Sequence, residues 1–190
     1  MQVFWLKGYE ATSLDDLCNA TGLGRSSLYA AFGSKQSLYL SSLDRYEDAS
    51  AKRIAAALAR PLPFHAATAN FLAEMINDIV AGPGRRGCFI GNCTAELSRH
   101  DRTAAARVKR SLARIEAAFR DGLIRARERG EIAASAEVAA LARFLTAGIQ
   151  GLRLVGKANP DRDALNDIAR TMLGCIPNQS ACKSSSKRGL

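Results

Sequence analysis

The sequence predicts an all-α fold in two parts, a small three-helix head followed by a larger helical body, with about nine helices altogether. Three observations support this prediction. Two short helical stretches and the start of a third, separated by tight turns, fall between Gly8 and Leu38. Apolar residues then recur with helical periodicity through most of the chain. Stretches containing Pro and Gly at 60–64 and 81–87 interrupt this periodicity and separate the predicted helices.

The length of the chain is consistent with this division. A chain of 190 residues can form one large core, or a small head joined to a larger body. The change of pattern near Leu38 favours the second arrangement. We therefore expect a helix-turn-helix domain at 1–40 and a helical body at 41–176. Residues 177–190 are small, polar and basic, which predicts a disordered tail.

The first complete helix of the head is predicted to begin after Ser13, a favourable N-cap residue. Asp16 stands where a carboxylate completes a capping box and meets the helix dipole. Gly22 occupies the position at which a chain most easily leaves a helix in a left-handed turn. The next helix must then start near Gly24, with Leu23 packed between the two helices. The expected buried stripe of the first helix consists of Leu14, Leu17, Cys18 and Ala20.

The second helix of this pair, RSSLYAAF, is predicted to turn Leu28 and Phe32 inward. Its other face is polar and carries Arg25, Ser26, Ser27 and Tyr29. Small polar residues beside an arginine are suited to the major groove of DNA. Ser34 is predicted to cap the following helix, whose free amides together with Lys35 form an anion site suited to a DNA phosphate.

The segment GYEATSLDDLCNATGLGRSSLYAAFGSKQSLYL resembles the DNA-binding head of the tetracycline-repressor (TetR) family of bacterial transcription regulators. The resemblance covers Gly8 to Leu40, and the rest of the chain is similar to the family only in length and helical character. It implies a homodimeric repressor that binds double-stranded operator DNA and is released by a small-molecule effector. It also implies that residues 41–176 form a ligand-binding and dimerisation domain.

The resemblance assigns roles to individual residues of the head. Ser13 and Tyr29 would contact backbone phosphates, and Lys35 would clamp another. The positions that would face bases are Arg25, Ser26 and Ser27. Gly24 lies at the start of the same helix, where the family usually has a Ser or Thr cap. Ala30 and Ala31 replace a more usual polar or aromatic pair, so base contacts there would be few or apolar.

The net charge points to an anionic partner, but its distribution gives the DNA interpretation little support. The formal charge is +9 and the pI is about 9.7. Residues 1–35 carry three basic side chains against three acidic ones, whereas residues 82–130 carry twelve against five. The DNA interpretation therefore depends on the motif rather than on the charge.

The amino-terminal sequence bears on where the protein begins and where it resides. MQVFWLKGYE has the pattern of the last turns of a helix, so we expect the natural protein to start upstream of Met1. A signal peptide is not recognised, and no run is expected to reach the length of a membrane span. We expect a cytoplasmic, nucleoid-associated protein with no membrane partner, in which the five cysteines are reduced and hold no metal.

The first part of the body is predicted to contain two long helices. One extends from Ser34 to about Ala59, with an intermittent apolar face. Its apolar residues are Leu38, Leu43, Tyr46, Ile54 and Leu58. The second extends from Phe64 to Val80 after the two prolines of RPLPF. Two interpretations of this second helix remain open, a ligand cavity or ordinary core, for Phe71, Met75 and Ile79.

The loop at 81–87 leads to Cys88 in the first turn of a short apolar helix. Arg85, Arg86 and the helix amino terminus would favour a thiolate at Cys88, as in cysteines that sense electrophiles or oxidants. The alternative is that Cys88 and Cys93 are small core residues. Two polar residues on the same helix are candidates for orienting a ligand, Asn92 and Glu96.

A basic helix is predicted at 101–129. Its core stripe consists of Val108, Leu112, Ile115, Phe119 and Leu123. A second stripe contains Arg107, Arg110 and Arg114. This stripe is either a further anion-binding surface or a solvated face balanced by Glu116 and Asp121.

The last two helices are predicted to start after the caps Ser135 and Asn159, the second with Pro160 at its first position. Their small and apolar residues suit close helix pairing, so we expect them to form a homodimer face. The residues of this face are Leu141, Leu145, Gly148, Ile149, Leu152, Leu165, Ile168 and Met172. Core packing within one chain is the alternative.

The sequence shows no recognisable catalytic or cofactor set. It has two histidines and lacks a Gly-rich phosphate loop after a strand, a nucleophile elbow and a metal-ligand spacing. We therefore expect neither an enzyme nor a bound cofactor. Two alternatives to a ligand-released regulator remain. One is a thiol sensor that uses Cys88, and the other is a helical small-molecule-binding protein that makes no use of its head.

Overall fold

A computed structural model describes residues 1–177, apart from the side chain of Pro83. Within that range the chain forms nine α-helices, one 3-10 turn at Pro83–Arg86 and no β-strand. The prediction of an all-α fold is confirmed. The helices are α1 Gln2–Lys7, α2 Leu14–Thr21, α3 Arg25–Phe32, α4 Lys35–Leu58, α5 Phe64–Val80, α6 Phe89–Glu96, α7 Arg102–Glu128, α8 Val138–Ala158 and α9 Arg162–Gly174. The predicted disordered tail lies, beyond Pro177, outside the described residues.

The chain divides into two compact units. Of the described residues, the first unit contains 1–50 and 86–111, and the second contains 51–85 and 112–177. The predicted domain boundaries at 40 and 176 stay a prediction.

Helix α2 begins as its sequence predicts. The Ser13 hydroxyl accepts a hydrogen bond from the Asp16 amide at 3.0 Å, and the Asp16 carboxylate accepts one from the Ser13 amide at 2.9 Å. Lys7 donates to Asp16 at 2.6 Å, and this contact, followed by those of Ser13, lowers the pKa of Asp16 to about 2. Gly22 closes the helix with a φ of 70°, a conformation that favours glycine.

Fewer side chains of α2, α3 and the turn between them are buried than the sequence predicts. Leu17 and Leu28 are buried, but Leu23 is 40% exposed and Phe32 is 36% exposed. Leu23 stands in the turn between two exposed glycines, and Phe32 is the last residue of α3, where the chain turns away at Gly33. Each of these eight-residue helices therefore has one buried side chain, Leu17 in α2 and Leu28 in α3. The rest of the predicted α2 stripe is half-buried at Leu14 and Cys18 and exposed at Ala20.

An aromatic cluster forms the core of the first unit. Phe4 packs edge-on against Tyr39, with ring centroids 5.0 Å apart, and Trp5 packs edge-on against Tyr46 at 4.9 Å. Phe89 packs edge-on against Tyr39 at 5.4 Å and Tyr46 at 5.8 Å. Edge-to-face contacts of this kind stabilise beyond the area they bury. The cluster therefore fixes α1, α4 and α6 together.

Two arginines of the predicted stripe on α7 pair with acids other than those expected. Arg107 donates to Asp44 at 3.1 Å, and Arg110 donates to Asp44 and, at 3.0 Å, to the buried Glu47. Glu116 instead pairs with Arg143 at 3.4 Å. Arg107 and Arg110 are thus engaged by carboxylates of α4, which argues against an open anion-binding surface at these two side chains.

The core of the second unit is built from α5, α8 and α9 with the adjoining parts of α4 and α7. Fully buried residues of this core include Phe119, Leu123, Leu145, Ile149, Leu152 and Leu165. Gly156 and Gly148 lie at close helix contacts. A Cβ at Gly156 would stand 2.7 Å from Ile79 Cγ2, and one at Gly148 would stand 2.4 Å from Met172 Cε.

The starts of the last two helices differ from their prediction. Helix α8 begins at Val138 after Glu137, because hydrogen bonds from Ala136 to Ala133 and from Val138 to Ala136 close tight turns first. Ser135 is therefore not its cap. Helix α9 begins at Arg162, because the Asp161 carboxylate accepts a hydrogen bond from the Ala164 amide at 2.9 Å. Asn159 and Pro160 lie before it.

Helix α8 also differs from the expectation on membrane spans. It is 21 residues long with a mean hydropathy of 1.3, which is enough to cross a membrane by length and composition. A core helix passes the same test, and seven residues of α8 are buried in the chain. The apolar run that passes the test thus supplies one wall of the second unit's core.

Candidate nucleic-acid interface

One face of α3 is open to solvent and carries the predicted base contacts. Arg25, Ser26, Ser27 and Tyr29 are all exposed, whereas Leu28 between them is completely buried. We call these four exposed residues the reader face. Gly24 is the N-cap of α3 and has no side chain, so it makes no capping hydrogen bond to the first amides of α3. The reader face therefore presents hydrogen-bonding groups of the kind that read base edges in a major groove.

The arginine of the reader face pairs with Asp15 of α2. Arg25 Nη2 donates to Asp15 at 2.7 Å and 2.9 Å, and Arg25 Nε donates to the same carboxylate at 3.1 Å. This contact, as the first cause, raises the pKa of Arg25 above its ordinary value. The two residues are ten positions apart on different helices, so no local pattern predicts the pair.

The predicted phosphate clamp lies at the start of α4. Ser34 Oγ accepts a hydrogen bond from the Ser37 amide at 3.0 Å, as an N-cap does. The Lys35 ammonium stands 4.5 Å from the centre of the Tyr9 ring and donates to the Glu10 carbonyl at 3.5 Å. Its position over an aromatic face holds the charge beside the helix start without neutralising it. Ser34 and Lys35 thus combine a capped helix terminus with a cation.

Ser13 precedes both the reader face and the clamp in the sequence, and it is exposed. Its hydroxyl is already engaged with the Asp16 amide in the capping box. A hydroxyl that accepts one hydrogen bond can still donate its proton to a phosphate oxygen. The structure thus leaves Ser13 able to make the predicted contact.

The polar residues predicted to orient a ligand have partners within the first unit. The Glu96 carboxylate accepts hydrogen bonds from the amides of Tyr9 at 2.9 Å and Glu10 at 2.8 Å. Asn92 donates to the Arg86 carbonyl at 3.0 Å. Glu96 therefore holds the loop between α1 and α2, the same loop that carries the ring beneath Lys35.

The two cysteines near α6 are buried. Cys88 is the N-cap of α6, and its sulfur accepts a hydrogen bond from Tyr46 Oη at 3.7 Å. Burial is the first cause of the raised pKa of the Cys93 thiol, which is completely enclosed. Arg86 lies over the Trp5 ring, 5.6 Å from its centre, and bonds Gln2. Buried thiols of this kind react slowly.

The apolar residues predicted to line a ligand cavity belong to the second unit. Phe71, Met75 and Ile79 are all buried in its core. One polar side chain on the same helix was not predicted: Thr68 is completely buried, and its hydroxyl has no hydrogen-bond partner in the described part of the chain. A buried hydroxyl without a partner is uncommon, because its desolvation is not compensated.

Most of the predicted dimer residues face the core of their own chain, which corrects the prediction. Leu145, Ile149, Leu152, Leu165 and Met172 are buried there, while Leu141, Gly148 and Ile168 are half-buried. The apolar periodicity of α8 marks an internal face, because core and interface select the same residue types. The opposite side of α8 carries exposed apolar residues, and the exposed Arg143 lies at its edge. This side consists of Ala140, Phe144, Ala147, Gly151, Leu154 and Val155, of which Leu154 is 69% exposed.

Comparison with protein-family models gives two matches. Residues 1–41 match the model described as bacterial regulatory proteins, tetR family. Residues 66–172 match the model described as tetracyclin repressor-like, C-terminal domain. The first match covers the capping box, the reader face and the clamp, and the second covers most of the second unit.

Two curated relatives are similar over nearly the whole chain. The HTH-type transcriptional repressor ComR of Escherichia coli is 36% identical over 179 residues, which cover 93% of this chain and 85% of that protein. The uncharacterized HTH-type transcriptional regulator YezE of Bacillus subtilis is 32% identical over 177 residues, which cover 93% of this chain and 91% of that protein.

Solved structures share the fold. The TetR family regulator CifR, solved as a cysteine mutant with 26 bp double-strand operator DNA, is 28% identical, with a TM-score of 0.80 and 92% of each chain covered. The reduced form of Escherichia coli NemR has a TM-score of 0.82 over 94% of each chain, and at 19% identity it is similar in fold alone.

Proposed function

The chain belongs to the TetR family of bacterial regulatory proteins, and we propose that it is a repressor released from its operator by a small-molecule ligand. It is a DNA-binding transcriptional regulator whose partners are operator DNA and a second copy of itself. The observation that carries the proposal is the exposed reader face on α3, with a capped helix and Lys35 beside it. The proposal includes no catalytic step, and it places the protein in the cytoplasm, on nucleoid DNA.

The roles within the head follow from exposure and chemistry. Arg25, Ser26 and Ser27 face base edges, and the absence of a side chain at Gly24 lets the backbone approach the duplex closely. The phosphates are contacted by Ser13, Tyr29 and Lys35, which fix the register of α3 on the DNA. These assignments are supported by the exposure of the reader face and by the N-cap at Ser34.

The operator is proposed to be a pseudo-palindrome. Two copies related by a two-fold axis present two reader faces, which enter successive major grooves about 34 to 36 Å apart or at a comparable spacing. The proposed dimer surface is the exposed apolar side of α8, because a face that includes the exposed Leu154 and Phe144 gains by leaving water. Since each half-site alone binds weakly, a small change in the distance between heads removes most of the affinity.

The effector is proposed to bind within the second unit, near the middle of α5. Phe71 and Met75 provide an apolar lining, and the unsatisfied Thr68 hydroxyl provides a polar group for orientation. Met75 is flexible enough to move aside for a guest molecule. This combination favours a mainly apolar effector with at least one hydrogen-bonding group.

Recovery of genomic fragments on the purified protein tests both parts of the proposal. We expect the recovered fragments to share a two-fold symmetric sequence, and small molecules from a cell extract to release them. Recovery of random fragments would contradict the DNA assignment. Specific fragments that no extract or compound releases would contradict ligand control. Release by an electrophile from the parent protein, but not from Cys88→Ser, would select the thiol sensor instead.

The salt dependence of operator binding tests the clamp at Lys35. Lys35→Ala should weaken binding to all sequences alike and reduce the slope of log affinity against log salt by about one for each protomer, because one phosphate contact is lost. Fluorescence anisotropy over a range of salt concentrations measures this slope. Lys52→Ala, which removes an exposed charge further along α4, is the control and should leave the slope unchanged. An unaltered slope for Lys35→Ala would mean that Lys35 does not bind a phosphate.

A further inference from the structure

The contact between Arg25 and Asp15 joins the reader face to the first turn of α2. Three hydrogen bonds of 2.7 to 3.1 Å engage the carboxylate with the Nε and Nη2 side of the guanidinium. We infer that Asp15 is a specificity-determining positioning residue, which orients Arg25 so that it selects a guanine in each half-site. This inference depends on the proposed function, since it assigns a role within the same DNA interface.

The contact with Asp15 leaves one edge of the Arg25 guanidinium available to donate hydrogen bonds to a base. A guanidinium has five N–H donors, and the Asp15 carboxylate takes those on one edge. Within the described residues no hydrogen bond is formed by Nη1, and a guanidinium that is bound along its Nε–Nη2 edge keeps its Nη1–Nη2 edge for another acceptor. These two groups form the parallel pair that donates to O6 and N7 of a guanine in the major groove. Asp15 therefore orients the arginine without blocking its base-reading edge.

Because both side chains are exposed, the ion pair between Arg25 and Asp15 contributes little to the stability of the fold. The Arg25 side chain is 63% exposed and the Asp15 side chain 67%. Ion pairs this exposed contribute little to stability. A free arginine has many rotamers and must lose them on binding, whereas one already held in place loses fewer. Pre-ordering thus strengthens binding to the sequence that fits the fixed guanidinium and weakens binding to those that require another rotamer.

The charge of Asp15 adds to this effect. A carboxylate near the duplex repels phosphates, and it does so at every DNA sequence. It therefore lowers non-specific binding while the pair with Arg25 raises discrimination. Asp15 is also separable from the fold of α2, because Asp16 and Ser13 make the capping box without it.

The test is Asp15→Asn in the parent and in an Arg25→Ala background, assayed by selection from random DNA and by anisotropy on the selected operator. We expect Asp15→Asn to reduce the preference for guanine at one base pair of each half-site about fivefold to tenfold, while binding to random DNA strengthens. In the Arg25→Ala background, Asp15→Asn should leave base preference unchanged. The double-mutant comparison isolates the part of the effect that acts through Arg25.

The matched control is Glu10→Gln, which removes the same charge from the head at an exposed side chain that does not contact Arg25. It should alter non-specific binding alone. Unchanged base preference in Asp15→Asn, or an equal loss in the Arg25→Ala background, would overturn the inference while the operator itself is still bound. If the parent protein selects no sequence at all, the proposed function fails first, so the two failures are distinguishable.

Discussion

Replacing Gly151 with arginine is expected to split the homodimer and to lower operator affinity by about a hundredfold or more. Gly151 lies on the exposed side of α8, and a Cβ built there meets no atom within 4 Å, so the chain itself accepts the larger side chain. In the dimer, however, two guanidinium groups would be forced into an apolar contact without carboxylate partners, which costs their desolvation. Loss of the dimer removes the second half-site from each binding event.

Analytical ultracentrifugation and anisotropy on the operator measure the two effects separately. The control is Ala73→Arg, which introduces the same group at an exposed position of α5 and should leave mass and affinity as in the parent. Gly148→Arg provides a contrast on the same helix, because a side chain there meets Met172 and should destabilise the fold. A Gly151→Arg protein that sediments as the parent dimer would assign the dimer contact to another surface.

The start and end of most elements could be predicted because they are determined by neighbouring residues. Helix α2 is an example, because its capping box at Ser13 and Asp16 and its left-handed turn at Gly22 involve only residues of α2 and its immediate neighbours. Helix α5 runs over Phe64–Val80 as expected, since prolines precede it and glycines follow. Where two possible caps lie close together, the sequence does not rank them, and the caps Ser135 and Asn159 each lie two residues before the observed ones.

The direction in which helix faces point could not be predicted, because it depends on residues distant in the chain. The apolar stripe with Leu145 and Ile149 was assigned to a partner, yet its own chain covers it. Both environments exclude water, so both produce the same periodicity.

The site was predicted residue by residue but not as a set of contacts. The exposure of Arg25 and Tyr29 and the cap at Ser34 agree with the expected reader and clamp. The pair of Arg25 with Asp15 depends on the angle between α2 and α3, which no spacing encodes. The carboxylate of Glu96 was expected to face a ligand, and it bonds backbone amides 86 and 87 positions away instead.

Ser27→Glu is the second substitution with a large expected effect. Ser27 is exposed at the third position of α3, where a carboxylate interacts favourably with the helix dipole, so the fold should be as stable as in the parent. On DNA the same carboxylate would lie among base edges and phosphates, while the nearby Arg25 is engaged by Asp15. Repulsion and unpaired desolvation together should lower operator affinity by about a hundredfold or more.

Ala49→Glu separates this local effect from the change in net charge. It adds the same carboxylate to the first unit at an exposed position of α4 away from the reader face, and its effect on affinity should be small. Thermal unfolding and sedimentation should match the parent for both variants, since neither position is buried. Because Ser27→Glu keeps both the fold and the dimer, a loss of operator binding can come only from the face of α3. If Ser27→Glu bound the operator as tightly as Ala49→Glu, that face would not enter the groove, and the DNA surface of the head would have to lie elsewhere.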